Sequence, residues 1–153
     1  MADELSVGDV APNFSLARTG DGVFTLSEQL GEPMILAFYP EDFSPVCTAQ
    51  LMAYAGAQPD FSALGVSVFG ISPQPVSTHE DFAHRIGLNF PLLADEEKEV
   101  ARLYGVLGPL GFYRRSVFVI DRTGQIVYAH RSRAGMSFRG SDELLRVVRE
   151  SCS

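Results

Sequence analysis

PMILAFYPEDFSPVCTAQLMAYAGA, Pro33 to Ala57, is the stretch whose reading decides the fold. Its unbroken apolar run from Met34 to Tyr39 has the length and composition of a strand buried on both faces. Pro40 ends the run, and Glu41, Asp42 and Phe43 carry the chain through a turn. Ser44 followed by Pro45 then gives a cap residue and the proline favoured in a first helical turn, so a helix opens through Val46, Cys47 and Thr48. Cys47 is thereby placed in the first turn of a helix, just past the carboxyl end of a buried strand.

That position bears on chemistry because the nucleophile of a cysteine is its thiolate. A helix N-terminus offers unpaired N–H groups and the positive end of the macrodipole. It contributes about 0.3–1 kcal/mol, less than the roughly 1.4 kcal/mol behind each tenfold gain in thiolate, so a further donor and a cation are needed. Ser44, three residues before Cys47, brings a hydroxyl, and an arginine from elsewhere would bring the charge.

Pro40, Ser44 and Cys47, spaced as Pro-x-x-x-Ser-x-x-Cys with Tyr39 before and Thr48 and Gln50 after, resemble the peroxidatic motif of the peroxiredoxins. The resemblance is to AhpC/TSA-like members of the bacterioferritin-comigratory or AhpE-like one-cysteine type. It implies that the Cys47 thiolate attacks a peroxide oxygen, that the Ser44 hydroxyl holds thiolate and peroxide, and that Pro40 shields the pocket from water. It also implies a distant arginine, a peroxide substrate and no metal, haem or flavin.

Around this centre the chain reads as one domain over residues 1–153, long enough to bury a core without staples. Apolar residues make up 46% and charged residues 20%, an ordinary globular balance. The net charge of −7, with Lys98 the single lysine, argues against nucleic-acid or anionic-membrane partners. With no signal-like or membrane-spanning apolar run, the expected compartment is the cytoplasm. Cys47 and Cys152 are too few for a disulfide framework, and no Cys/His spacing suits a metal. His79, His84 and His130 read as solvated or as polar core contacts.

In chain order, Asp21 and Gly22 predict a hairpin between 14–17 and 23–26, and Ser27 reads as the cap of a short helical turn. The opening around Pro12, Phe14 and Leu16 is also similar to the way peroxiredoxins begin. Val66 to Ile71 reads as a second buried strand, and Ser77 with Glu80 has capping-box spacing for a helix over 78–86 that Gly87 stops. Pro91 predicts an edge position for a strand at 90–95. A helix over 96–104, a glycine-rich connector, strands over 112–121 and 125–130, and a helix over 144–151 complete a thioredoxin-like α/β domain with a central mixed sheet flanked by helices.

The segment Arg115 to Asp121 resembles the family strand whose arginine reaches the peroxidatic cysteine, and its register gives that role to Arg115 and a solvent-facing place to Arg114. Val117 departs from the usual threonine. Thr48 and Gln50 are expected to brace the arginine or the loop. Phe43, Pro109 and Phe112 suit the edge of a homodimer.

A sulfenic acid on Cys47 must then meet a second thiol. Met52 stands where some relatives carry a resolving cysteine, so Cys152, at a C-terminus expected to fray, is the remaining candidate in the chain. Otherwise an external small thiol or a thioredoxin- or glutaredoxin-like protein restores Cys47. The rival readings are a thioredoxin-type disulfide oxidoreductase, weakened by Ser44 where Cys-x-x-Cys needs a cysteine, and a peroxide-sensing redox switch.

Overall fold

The computed structural model describes residues 5–108, 111–132 and 138–152. Seven strands form one mixed sheet in the order β2-β1-β5-β4-β3-β6-β7. They are β1 (Ser15–Arg18), β2 (Val23–Thr25), β3 (Met34–Phe38), β4 (Ser67–Ser72), β5 (Leu92–Ala94), β6 (Ser116–Ile120) and β7 (Ile126–Arg131). Strands β3, β4 and β5 run parallel, and β6 pairs antiparallel to β3 with Phe38 opposite Ser116 and Met34 opposite Ile120. The helices are α1 (Pro45–Gly56), α2 (Gln58–Ala63), α3 (Val76–Ile86), α4 (Glu99–Leu103) and α5 (Ser141–Ser151). No helix among the described residues is long and apolar enough to cross a membrane.

Strand β3 is buried at every residue because the sheet is covered on both faces. Alternation along a strand sends Ile35, Ala37 and Tyr39 into one core with Cys47, Leu51, Tyr54, Phe61 and Leu144. Met34, Leu36 and Phe38 enter the other, with Phe69, Tyr104 and Phe118. The same alternation in β6 puts Val117 and Val119 on the α1 side and Phe118 and Ile120 opposite. Arg115, one residue before β6, therefore belongs to the α1 side, at the end of the sheet where β3 delivers the chain to α1.

Three local expectations are corrected. Strand β5 lies inside the sheet, between β1 and β4, because Pro91 precedes the ladder and the first hairpin pairs along the side that would have been an edge. Helix α3 starts at Val76 after Pro75 and carries no side-chain cap. Glu80, the expected capping partner, instead accepts from the Gly20 N–H at 2.7 Å. Ser27 lies within the first 3-10 turn, and its N–H donates to Asn13 Oδ1 at 2.9 Å. The hairpin turn at Asp21 and Gly22 is found, with φ of 68° and 90°, and Gly87 closes α3 in the left-handed conformation.

Gly70 in β4 fixes how closely the layers meet. A Cβ there would lie 2.6 Å from Leu92 Cδ2 and 3.2 Å from Tyr39 Cε1, both in a buried strand or at its end. Overpacking of this kind costs about 1–3 kcal/mol. Gly70→Ala is expected to lower the unfolding free energy from denaturant titration by that amount, and an unchanged value would show that the β4–β5 packing can relax.

Candidate active site

The site is built where β3 ends. The chain leaves Phe38, turns through Pro40, which is half-buried, and enters α1 at Ser44 in extended conformation. Ser44 Oγ accepts from the Cys47 N–H at 3.2 Å, and its carbonyl accepts from the Thr48 N–H at 2.9 Å. The cap thereby satisfies donors that the first turn would leave open. Phe43, between turn and cap, has φ of 66°. A left-handed backbone costs a bulky residue about 1–2 kcal/mol, so the surroundings must hold it there. Its ring stands edge-on to Phe82 at 5.1 Å, with the Arg85 guanidinium 5.6 Å over it.

Cys47 is wholly buried. Across the sheet, Arg115 is 3% exposed and its Nη1 donates to Cys47 Sγ at 3.1 Å and to Gln50 Oε1 at 2.9 Å. A guanidinium in an apolar interior is tolerated only with partners of this kind. Gln50 is one turn further along the same face of α1 and is also fully buried. Its amide Nε2 donates to Tyr54 Oη at 3.3 Å, and the Tyr54 hydroxyl donates to the Arg139 carbonyl at 2.6 Å. Burial pushes the Tyr54 phenol up to about 12, with the Gln50 hydrogen bond and the Arg115 charge acting against it. A chain of donors thus runs from α1 to residue 139 and orients Gln50 toward the arginine.

Arg114 does not share this pocket. It donates to the Ser132 and Arg131 carbonyls, so it is partly buried and engaged with backbone rather than turned to solvent. Thr48 joins the site through its backbone N–H. Val117, where a threonine was expected, is an apolar wall of the core that holds Cys47.

The residues before Arg115 are tied to α4 by Asp95. Its carboxylate accepts from the N–H groups of Val100 and Ala101 and from the Tyr113 hydroxyl. Lys98 adds a bond to the Gly111 carbonyl at 2.8 Å. These contacts fix the approach of the chain to β6, and sequence patterns gave no sign of them.

A second polar cluster, also unmarked in the sequence, lies behind the turn. Asp42 Oδ1 accepts from the Tyr39 hydroxyl at 2.6 Å, and Asp42 Oδ2 lies 2.7 Å from His79 Nδ1. His79 Nε2 lies 3.0 Å from the Leu93 carbonyl. Both side chains are fully buried. Burial, then the Asp42 charge, holds the Tyr39 phenol well above its ordinary range. Of the three histidines, His79 is thus a polar core contact.

Cys152 sits elsewhere. It is 6% exposed, follows α5, and donates its N–H to the Val148 carbonyl at 2.9 Å, so it is not at a frayed end. It lines a cavity with Asp121, Arg122, Thr123 and Ser151. Burial and Asp121 raise its thiol above the ordinary value. Asp121 follows β6 at the end opposite Arg115, and five strand residues span about 13 Å or more. Phe43 is 47% and Phe112 67% exposed, whereas Pro109 lies outside the described residues. Among the described residues no group of His, Cys, Asp and Glu is placed to hold a metal ion.

Comparison with known proteins finds relatives over most of the chain. The AhpC/TSA family model matches residues 7–129. Peroxiredoxin 2 of Thermoplasma acidophilum is 37% identical over 94% of this chain and 74% of its own length. The crystal structure of peroxidoxin BcpB from Mycobacterium tuberculosis superposes with a TM-score of 0.88 at 30% identity, covering 98% of this chain and 100% of that one. The bacterioferritin comigratory protein of Xanthomonas campestris, studied for alkyl peroxide reduction, gives 0.82 at 25% identity, with 90% of each chain covered. The family model and these relatives cover nearly all of the thioredoxin-like sheet that carries the site: the chain belongs to the AhpC/TSA family and is a peroxiredoxin, a thiol-dependent peroxidase.

Proposed function

We propose that Cys47 is the peroxidatic cysteine of a single-domain, one-cysteine peroxidase acting on hydrogen peroxide and organic hydroperoxides. The observation that carries the reading is the 3.1 Å contact between Arg115 Nη1 and Cys47 Sγ inside the protein. The Cys47 thiolate attacks the terminal peroxide oxygen. A sulfur–oxygen bond forms as the oxygen–oxygen bond breaks, two electrons leave sulfur, and the departing hydroxide or alkoxide takes a proton to become water or alcohol. Arg115 supplies donors for the charge growing on the leaving oxygen, and Gln50 fixes its fork. Ser44 accepts from the Cys47 N–H and has its own O–H left to aim at sulfur or peroxide. Pro40 offers no N–H at the mouth and keeps water from competing there.

Recycling by an external thiol or a thioredoxin-like protein fits the placement of Cys152. A disulfide needs Cα atoms within about 7 Å, whereas Cys152 lies by Asp121, at the far end of β6 from Arg115. We assign Cys152 a packing role within one chain. Exposed Phe43 and Phe112 support a homodimer edge near the site, and the reading includes a cytoplasmic place for the protein.

With dithiothreitol as reductant, Cys47→Ser is expected to abolish peroxide consumption, and Cys152→Ser to leave it within about twofold. Loss of turnover in Cys152→Ser would return that residue to the cycle. Arg115→Lys keeps a positive charge but not the fork, and is expected to slow the second-order reaction with peroxide by about 100-fold or more in stopped flow. An unchanged rate would remove Arg115 from the mechanism.

A further inference from the structure

Behind the catalytic turn the structure holds a buried polar cluster that none of the chemistry above uses. Tyr39 at the end of β3, Asp42 in the turn and His79 on α3 bond in series, and His79 reaches the Leu93 carbonyl in β5. Two elements of the scaffold therefore meet on one carboxylate in the loop that carries the chain to Cys47, and His79 ties a third to them. Asp42 also stands next to Phe43, whose left-handed backbone the surroundings must enforce.

The hydrogen bonds fix a proton count. Nε2 of His79 faces a carbonyl and so must donate. That leaves Nδ1, 2.7 Å from Asp42 Oδ2. Without a hydrogen between them two lone pairs would meet in an apolar interior. Whether it sits on the ring or on the carboxyl, Asp42 and His79 share one proton. The other groups facing the cluster are the Ser72 hydroxyl from β4 and Cys47 from α1. Glu80, next on α3, is engaged by the Gly20 N–H.

The cycle asks two things of this turn. Peroxide must meet Cys47 seated beneath Arg115, and a recycling thiol must reach a sulfur that is wholly buried. A thiol as large as a peptide cannot reach that sulfur while the turn is seated, so recycling calls for the turn to lift. We propose that Tyr39, Asp42 and His79 form a hydrogen-bonded latch that holds the Asp42–Cys47 turn closed, making His79 and Asp42 positioning residues that govern access of the reducing thiol to oxidised Cys47. The proposal rests on the peroxidase reading. Breaking the latch raises the population of the lifted turn, which is minor, and scarcely lowers that of the seated one, which is dominant.

The test uses the full chain and glutathione. Its thiol combines with the Cys47 sulfenic acid to give a mixed disulfide and water, followed by mass spectrometry. In His79→Gln the rate of mixed-disulfide formation is expected to rise by about tenfold or more, while the rate of oxidation by hydrogen peroxide stays within about twofold. Asp42→Asn is the conservative rescue. Its amide nitrogen donates to Nδ1 of a neutral His79 while its oxygen accepts from Tyr39, so the latch closes without the shared proton. The mixed-disulfide rate of Asp42→Asn is therefore expected to stay within about twofold of the wild type, while that of His79→Gln rises. If His79→Gln does not fold, Tyr39→Phe removes one arm and is read in the same way. An unchanged mixed-disulfide rate in His79→Gln, a rate in Asp42→Asn raised as much as in His79→Gln, or a peroxide step slowed as much as stability is lost, overturns the latch. Exchange of the Cys47 amide, accelerated in His79→Gln by the same factor, reads the latch independently, so a wild type that takes up no oxygen would sink the peroxidase reading alone.

Discussion

A guanidinium held against sulfur inside an apolar core is the interaction on which the rest of the site depends. Arg115 is almost wholly buried, and such a charge is costly unless its donors are occupied. Cys47 Sγ and Gln50 Oε1 take up those of Nη1 from the first two turns of α1. The pairing works in both directions. A positive neighbour and the start of a helix favour the anionic form of a thiol, and an anionic thiol compensates the guanidinium.

That contact is possible because of sheet register. Strand β6 runs antiparallel to β3, with Ser116 opposite Phe38, so the residue before β6 arrives where β3 releases the chain into α1. Parity then selects Arg115 over Arg114 for the face that α1 covers. Shift the register by one residue and Arg114 would enter the pocket. The support on each side is of a different kind: Ser44 and Gln50 set the helix and the arginine fork, and Asp95 and Lys98 set the backbone leading into β6. The Asp42 and His79 pair holds the turn itself.

How much of this was legible in the sequence follows the range of the interactions. Strand β3, the cap at Ser44 and the start of α1 are written in consecutive residues, and Gly87 marks its helix end unaided. Position Arg115 was legible through a motif resemblance, since nothing local distinguishes it from Arg114. The edge reading of β5 failed because Pro91 describes only the chain's own backbone, whereas the hairpin that pairs with β5 comes from residues 15–25. The Ser77–Glu80 box failed because Glu80 found a partner sixty residues away. Asp42 and His79 are separated by 37 positions, each unremarkable alone, and only the packing of α3 against β5 brings them to 2.7 Å. Cys152 looked like a loose tail because sequence position says nothing of burial.

The central claim is that Arg115 and the helix start make Cys47, and not Cys152, the thiol that peroxide oxidises. It is tested most directly by intact-mass spectrometry and peptide mapping of the reduced protein within seconds of adding about one equivalent of hydrogen peroxide. A single oxygen adduct confined to the peptide carrying Cys47 is the predicted result. Oxygen on Cys152, or no adduct on either residue, would contradict it.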